Sequence, residues 1–211
     1  MIFVIHNDQR AERVENIKKE FAKCGITTFG IQKSIFASTP KAGISQAHRS
    51  VVAKAKEQNW AFVIIMEDDV RFTHPDSFNK FMAQIMICPE EVDILMAGLY
   101  TTTQFLDTPL KQFKEVADVS GFHCYCVFQK AYDRFLEAPD TYHIDKWATG
   151  KTLGKLKTYC SYPFLAIQQD GFYSDNKKQV KDYSHLIKNK KYELFEGNNP
   201  SNASRIMRKL D

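Results

Sequence analysis

The chain reads as an α/β protein with a mostly parallel central sheet flanked by helices. Three observations predict this class. Short apolar runs alternate with amphipathic segments along most of the 211 residues. The strongest run, Ala61 to Met66, is short and rich in β-branched residues, the mark of a strand buried on both faces. It ends in three consecutive carboxylates, Glu67, Asp68 and Asp69. Strands alternating with helices build parallel sheets, and ligands of open α/β sheets bind at the carboxyl ends of the strands.

In chain order, the first strand is read over residues 2–5. A helix follows over 10–24, with Val14, Ile17, Phe21 and Cys24 on one stripe and Arg10, Arg13, Lys18 and Lys19 elsewhere. Gly25 ends it in a left-handed turn. After a strand in 27–36, a second helix spans 44–58 on a stripe of Ile44, Ala47, Val51 and Ala55, with His48 beside Arg49 on its polar side. The strand 61–66 precedes a short helix from Ser77 to Met86 and a strand in 93–100. Residues 101–118, Thr-rich and then charged, predict a long surface connection or a hairpin. A strand over 122–128 leads to a helix from Lys130 to Glu137, stopped by Pro139, and a last strand run covers 159–168. Gly197 to Pro200 read as a loop before a short terminal helix. No internal repeat is visible.

The apolar content of 44% and charged content of 26% are those of an ordinary globular protein. The length suits one domain over 1–211 with one substantial core, whether as a whole protein or as a fragment of a longer one. No run is long enough to cross a bilayer, and the amino terminus reads as a strand rather than a leader. The five cysteines are scattered, and Cys124 and Cys126 share a strand face without redox or zinc spacing. A reducing, cytoplasmic setting is expected. The net charge of +4 is uneven: from Asn176 onward nine Lys or Arg face four Asp or Glu. This basic tail is either a solvated face or a contact for an anionic ligand or, peripherally, a membrane surface. No nucleic-acid partner is expected.

Three adjacent carboxylates repel one another unless a cation or hydrogen-bonded ligand neutralises them. Magnesium and manganese prefer oxygen ligands, typically one or two carboxylates with phosphate oxygens and water. Glu67, Asp68 and Asp69 fit that demand; the alternative is a solvated turn. The first strand ends in His6, Asn7 and Asp8, with Arg10 and Arg13 one helical turn apart, a place suited to a phosphate or nucleotide. No Gly-rich dinucleotide or P-loop fingerprint is present. Asp145 lies among Tyr142, His143 and Trp147, an environment suited to a general base or equally to a helix cap. Gln168, Gln169, Asp170, Ser174 and Asp175 end the last strand run and could meet the acids across a cleft. His185 is a candidate late metal ligand.

Taken together, these residues resemble the family 25 glycosyltransferases, which include lipooligosaccharide and collagen galactosyltransferases. The likeness runs in order along most of the chain: Asp8, Arg10 and Arg13; Gly43 to His48; Glu67-Asp68-Asp69-Val70; Asp93-Ile94-Leu95 to Gly98; Gly121 to Tyr125 before Lys130-Ala131; Asp145; and Pro163, Gln168 and Ser174-Asp175. The family usually places Ser before the His, where this chain has Ala47. The resemblance implies a GT-A fold and an inverting transfer of a hexose from a UDP-sugar to a sugar, glycan or glycoprotein acceptor. Manganese or magnesium would lie at Asp69 and Glu67, with His185 as a further ligand. His6, Asn7, Arg10, Arg13, His48, Glu67 and Asp68 would bind the nucleotide-sugar, and Asp145 would be the base. Asp68 is expected to brace the site rather than hold metal, because neighbouring side chains of an extended chain point apart. Compact relatives are encoded by large DNA viruses that glycosylate their capsids, so the resemblance admits a viral source. Rival readings are a retaining transferase, a sugar-nucleotide nucleotidyltransferase and a non-catalytic sugar-binding module.

Overall fold

The computed structural model describes residues 1–171, 173–174, 179–180 and 192–197. The elements are β1 (Ile2–His6), α1 (Ala11–Lys23), β2 (Gly30–Lys33), α2 (Pro40–Glu57), β3 (Phe62–Glu67), β4 (Val70–Phe72), α3 (Ser77–Met86) and β5 (Ile94–Met96). Then come β6 (Gln104–Asp107), β7 (Phe113–Ala117), β8 (Cys124–Phe128), a 3₁₀ turn, α4 (Tyr132–Leu136), α5 (Ile144–Thr149), β9 (Thr158–Ser161) and β10 (Ala166–Gln168). A two-residue ladder, β11 (Tyr173–Ser174) with β12 (Gln179–Val180), follows.

Eight strands form the central sheet in the order β2-β1-β3-β8-β5-β9-β7-β6. Six of them point the same way, as the α/β reading expects, and β7 and β8 run opposite. The segment 101–118 is a hairpin of β6 and β7, which a short connection makes antiparallel. The run 159–168 is two strands rather than one. After β9 the chain leaves the main sheet, and β10 pairs with β4 in a separate two-stranded sheet.

Alternation along the strands divides the core in two. Val63 and Ile65 of β3, Tyr125 and Val127 of β8 and Met96 of β5 face the helices α2, α4 and α5. Ile64, Met66, Cys124, Cys126 and Leu95 face the opposite side, packed with Ile17 and Phe21 of α1 and Phe81 and Ile85 of α3. The sheet is thus covered on both faces, as a continuous apolar strand requires. All five cysteines are free. Burial pushes the Cys24 thiol up to about 11 and the Cys88 thiol up to about 12, which makes both poor nucleophiles.

Two expectations change at the helices. Arg13, read as lying off the buried stripe of α1, is itself buried, because a carboxylate from another element meets it there. His48, read as lying on the polar side of α2, is fully buried. The same helix begins four residues before the expected start. Thr39 accepts the Ala42 N–H at 3.1 Å as amino-terminal cap, and Pro40 occupies the first turn, where its missing N–H costs nothing.

Gly43 lets α2 pack close against the loop after β2. A Cβ there would lie 1.9 Å from the Ile35 carbonyl oxygen. Gly43→Ala is therefore expected to destabilise the fold by about 1–3 kcal/mol through overpacking against backbone. Urea unfolding checks this, and an unchanged midpoint would show that the loop yields freely.

Candidate active site

A cavity of about 580 Å³ opens where the carboxyl ends of β1 and β3 meet the amino end of β8. Glu67 is the last residue of β3, and its N–H donates to the His123 carbonyl at 3.0 Å. Asp68 and Asp69 form the turn between β3 and β4. This turn is buried rather than solvated: Asp68 is 4% and Asp69 8% exposed.

The three acids have separate surroundings. Asp68 is held by three partners: Arg13 Nη1 reaches Oδ1 at 2.6 Å, His6 Nδ1 lies 2.9 Å from Oδ2, and the Asn7 backbone N–H donates to Oδ2 at 3.2 Å. It ties the end of β1 and the start of α1 to the acid turn. Asp69 is differently placed. Its Oδ2 accepts from Gln168 Nε2 at 2.7 Å and its carbonyl accepts from the Gln169 N–H at 2.7 Å, while Oδ1 is buried without a hydrogen-bond partner. Burial pushes Asp69 up to about 7, and the charges of Glu67 and Asp68 push the same way. The Gln168 hydrogen bond and the Arg13 charge oppose them. Glu67 is the most accessible of the three and faces the cavity with its Oε1 3.4 Å from His48 Nε2.

Asp145 lines the cavity from the first turn of α5. Its Oδ2 accepts the Gly121 N–H at 2.9 Å and its Oδ1 the Lys146 N–H at 2.7 Å. Each oxygen keeps a second lone pair. Of the remaining sequence candidates, Asn7, Arg13 and His48 line the cavity, whereas His6 and Arg10 stand outside its wall. His6 is spent on Asp68, and Arg10 precedes α1. Asp8 is turned to Lys33, 2.8 Å away. His185 and Asp175 lie outside the described residues, as does most of the basic tail. Sequence reasoning gave no site role to Tyr125 or to the turn at Gly121. Tyr125 sits inside an apolar strand, where only its hydroxyl distinguishes it from core.

A hard divalent cation suits this donor set. Asp69 has an unpartnered buried oxygen, Glu67 stands beside it in the same cavity, and burial, reinforced by the charges of Glu67 and Asp68, keeps the Asp69 carboxyl protonated well above its ordinary range. Among the described residues no group of three or more His, Cys, Asp or Glu is clustered for metal. Two carboxylates completed by phosphate oxygens and water are the usual demand of magnesium. No helix among the described residues is long and apolar enough to cross a membrane.

No protein-family model matches this sequence, and no curated protein matches it. Among solved structures, the chain is similar to a glycosyltransferase involved in the glycosylation of the major capsid of PBCV-1. That likeness has 11% identity, covers 89% of this chain and 98% of that one, and has a TM-score of 0.49. The catalytic domain of Drosophila beta1,4galactosyltransferase 7, in complex with xylobiose, gives 10% identity over 97% of this chain and 78% of that one, with a TM-score of 0.45. A UDP-glucose pyrophosphorylase complexed with UDP-glucose gives 9% identity over 76% and 72%, with a TM-score of 0.41. Likeness at this level leaves the function to be read from the site itself.

Proposed function

We propose that this chain is a metal-dependent glycosyltransferase of GT-A type that moves a hexose from a UDP-sugar to a sugar, glycan or glycoprotein acceptor with inversion. The observation that carries the reading is Asp69: a buried carboxyl with one unpartnered oxygen, beside Glu67, on a cavity of the size that holds small ligands. Asp69 and Glu67 would hold manganese or magnesium. When bound, such a cation neutralises charge developing on a diphosphate leaving group.

The chain's own residues supply the rest. Asp68 fixes the turn through Arg13 and His6, so the two outer acids keep their places when the site is empty. Asn7 and Arg13 face the cavity at the end of β1 and offer polar and positive groups to the nucleotide. Asp145, oriented by the Gly121 and Lys146 N–H groups, takes the proton of the acceptor hydroxyl. The acceptor oxygen then bonds to the anomeric carbon as the bond to the diphosphate breaks, and its electron pair leaves with UDP. Attack from the face opposite the leaving group inverts configuration, by the logic of inverting glycosidases.

The test is a thermal-shift panel of UDP, GDP and CMP with and without manganese, joined to a transfer assay. UDP at a hundred times its dissociation constant should stabilise by about 2.7 kcal/mol, and only with metal. Asp69→Ala should abolish that response. Asp145→Asn should keep it while lowering transfer about 10²- to 10⁴-fold. A response to GDP alone, or to UDP regardless of metal, would overturn the reading. An unchanged anomeric centre in the product would remove the inversion.

A further inference from the structure

Behind Glu67 lies a buried pair of side chains with no part in the chemistry above. His48 projects from α2 and is fully buried, with Nδ1 2.6 Å from the Tyr125 hydroxyl. Its Nε2 is also buried, has no hydrogen-bond partner, and stands 3.4 Å from Glu67 Oε1, just beyond a full hydrogen bond. Tyr125 is fully buried in β8, stacked on Phe122 with ring centroids 4.2 Å apart.

Burial holds the Tyr125 hydroxyl protonated, with its pKa raised well above 10, and the charges of Glu67 and Asp145 reinforce this. His48 Nδ1 is the one hydrogen-bond partner of this hydroxyl among the described residues, so the phenol satisfies its proton by donating there. A neutral imidazole accepting at Nδ1 carries its own hydrogen at Nε2. That hydrogen is on the side of Glu67. A pair present only to fill space would be better served by two apolar side chains, since a buried donor left unmet costs stability. The orientation of the pair toward a cavity carboxylate supplies the reason to keep it.

We infer that His48 is a positioning residue: Tyr125 fixes its Nε2–H tautomer, and that N–H, facing Glu67 Oε1 from 3.4 Å, draws the carboxylate toward its place at the donor site without a full hydrogen bond in this structure. The inference rests on the role proposed for Glu67. It assigns His48 to the support of a ligand, not to contact with the nucleotide-sugar. Partners of this kind behind a metal-binding side chain typically account for 10- to 100-fold in affinity or activity.

Nitrogen-15 correlation spectra of the histidine rings in the unsubstituted chain give the first readout, with His48 assigned by its Overhauser contacts to the Phe122 and Tyr125 rings. The expected result is a single Nε2–H tautomer, lost to a mixture in Tyr125→Phe. An Nδ1–H tautomer in the parent overturns the proposal, and this measurement stands even where a His48 variant fails to fold. The second readout is manganese affinity in the presence of UDP, followed by paramagnetic resonance. His48→Gln, which keeps a donor near the place of Nε2, should stay within about twofold of the parent, and His48→Met should lose about tenfold. Equal affinities in the two variants overturn the proposal. An Nε2–H tautomer in a parent that binds neither manganese nor UDP supports the relay while overturning the donor-site reading.

Discussion

Replacing Arg13 by methionine is expected to cost about 3–5 kcal/mol of folding stability. Arg13 Nη1 meets Asp68 Oδ1 at 2.6 Å, and the two side chains are only 11% and 6% exposed. Methionine keeps much of the apolar stem but leaves Asp68 buried with less positive charge beside it. The remaining donors, His6 and the Asn7 N–H, meet only the other oxygen. For a chain of this length each kcal/mol moves the melting temperature by roughly 2–4 °C, so a fall of about 10 °C is expected. The double variant Arg13→Met with Asp68→Asn removes the stranded charge and should recover part of the loss, because partners in contact are not additive. A melting temperature unchanged in Arg13→Met would mean that Asp68 is solvated or held by other groups.

Asp69→Asn is expected to do the reverse and stabilise the chain at neutral and alkaline pH. Asp69 has a folded pKa of about 7 against an ordinary value of 3.8. The native state therefore keeps a proton that the unfolded state releases, and stability falls as pH rises from about 4 to about 7. Below this window the carboxyl is protonated in both states and contributes no difference. Above it the fold carries an ionised group in a place that resists ionisation, a loss of the order of 4 kcal/mol. Asparagine keeps an oxygen for Gln168 Nε2 and has no charge to bury. Parent and variant should thus melt together near pH 4 and separate steadily toward pH 8, the variant higher. Manganese with UDP should close the gap from the parent's side only. Melting curves that run parallel across this range would show that Asp69 is not strained by its surroundings.

Much of the fold was legible because burial writes itself into composition. Residues 62–67 are covered on both faces, so their strand is a nearly unbroken apolar run, and the acids at its end stand out against it. The site was harder to read where partners come from far along the chain. Arg13 looks like a surface cation in its own helix, and only the fold brings Asp68 to it from 55 residues away. His48 shares its turn of α2 with Gln46 and Arg49, so periodicity assigns it to the polar face. A hydroxyl 77 residues distant makes burial tolerable. Strand alternation predicts the separation of Asp68 from its neighbours. The structure achieves it in a turn, through the different partners of each carboxylate.

The turn at Asp68 and Asp69 is gripped from both sides. The strand before it belongs to the eight-stranded sheet, the strand after it pairs with β10, and Gln168 and Gln169 bind Asp69 across that second sheet. Mechanically, the acids occupy a weld between two plates and not the free end of a loop. Bending the turn would require one of the plates to peel, so its stiffness is inherited from the sheets rather than from its own two residues. Adaptation to a different ligand is therefore easier at the far walls of the cavity, in the loop after β2 and the start of α5, than at the acids themselves.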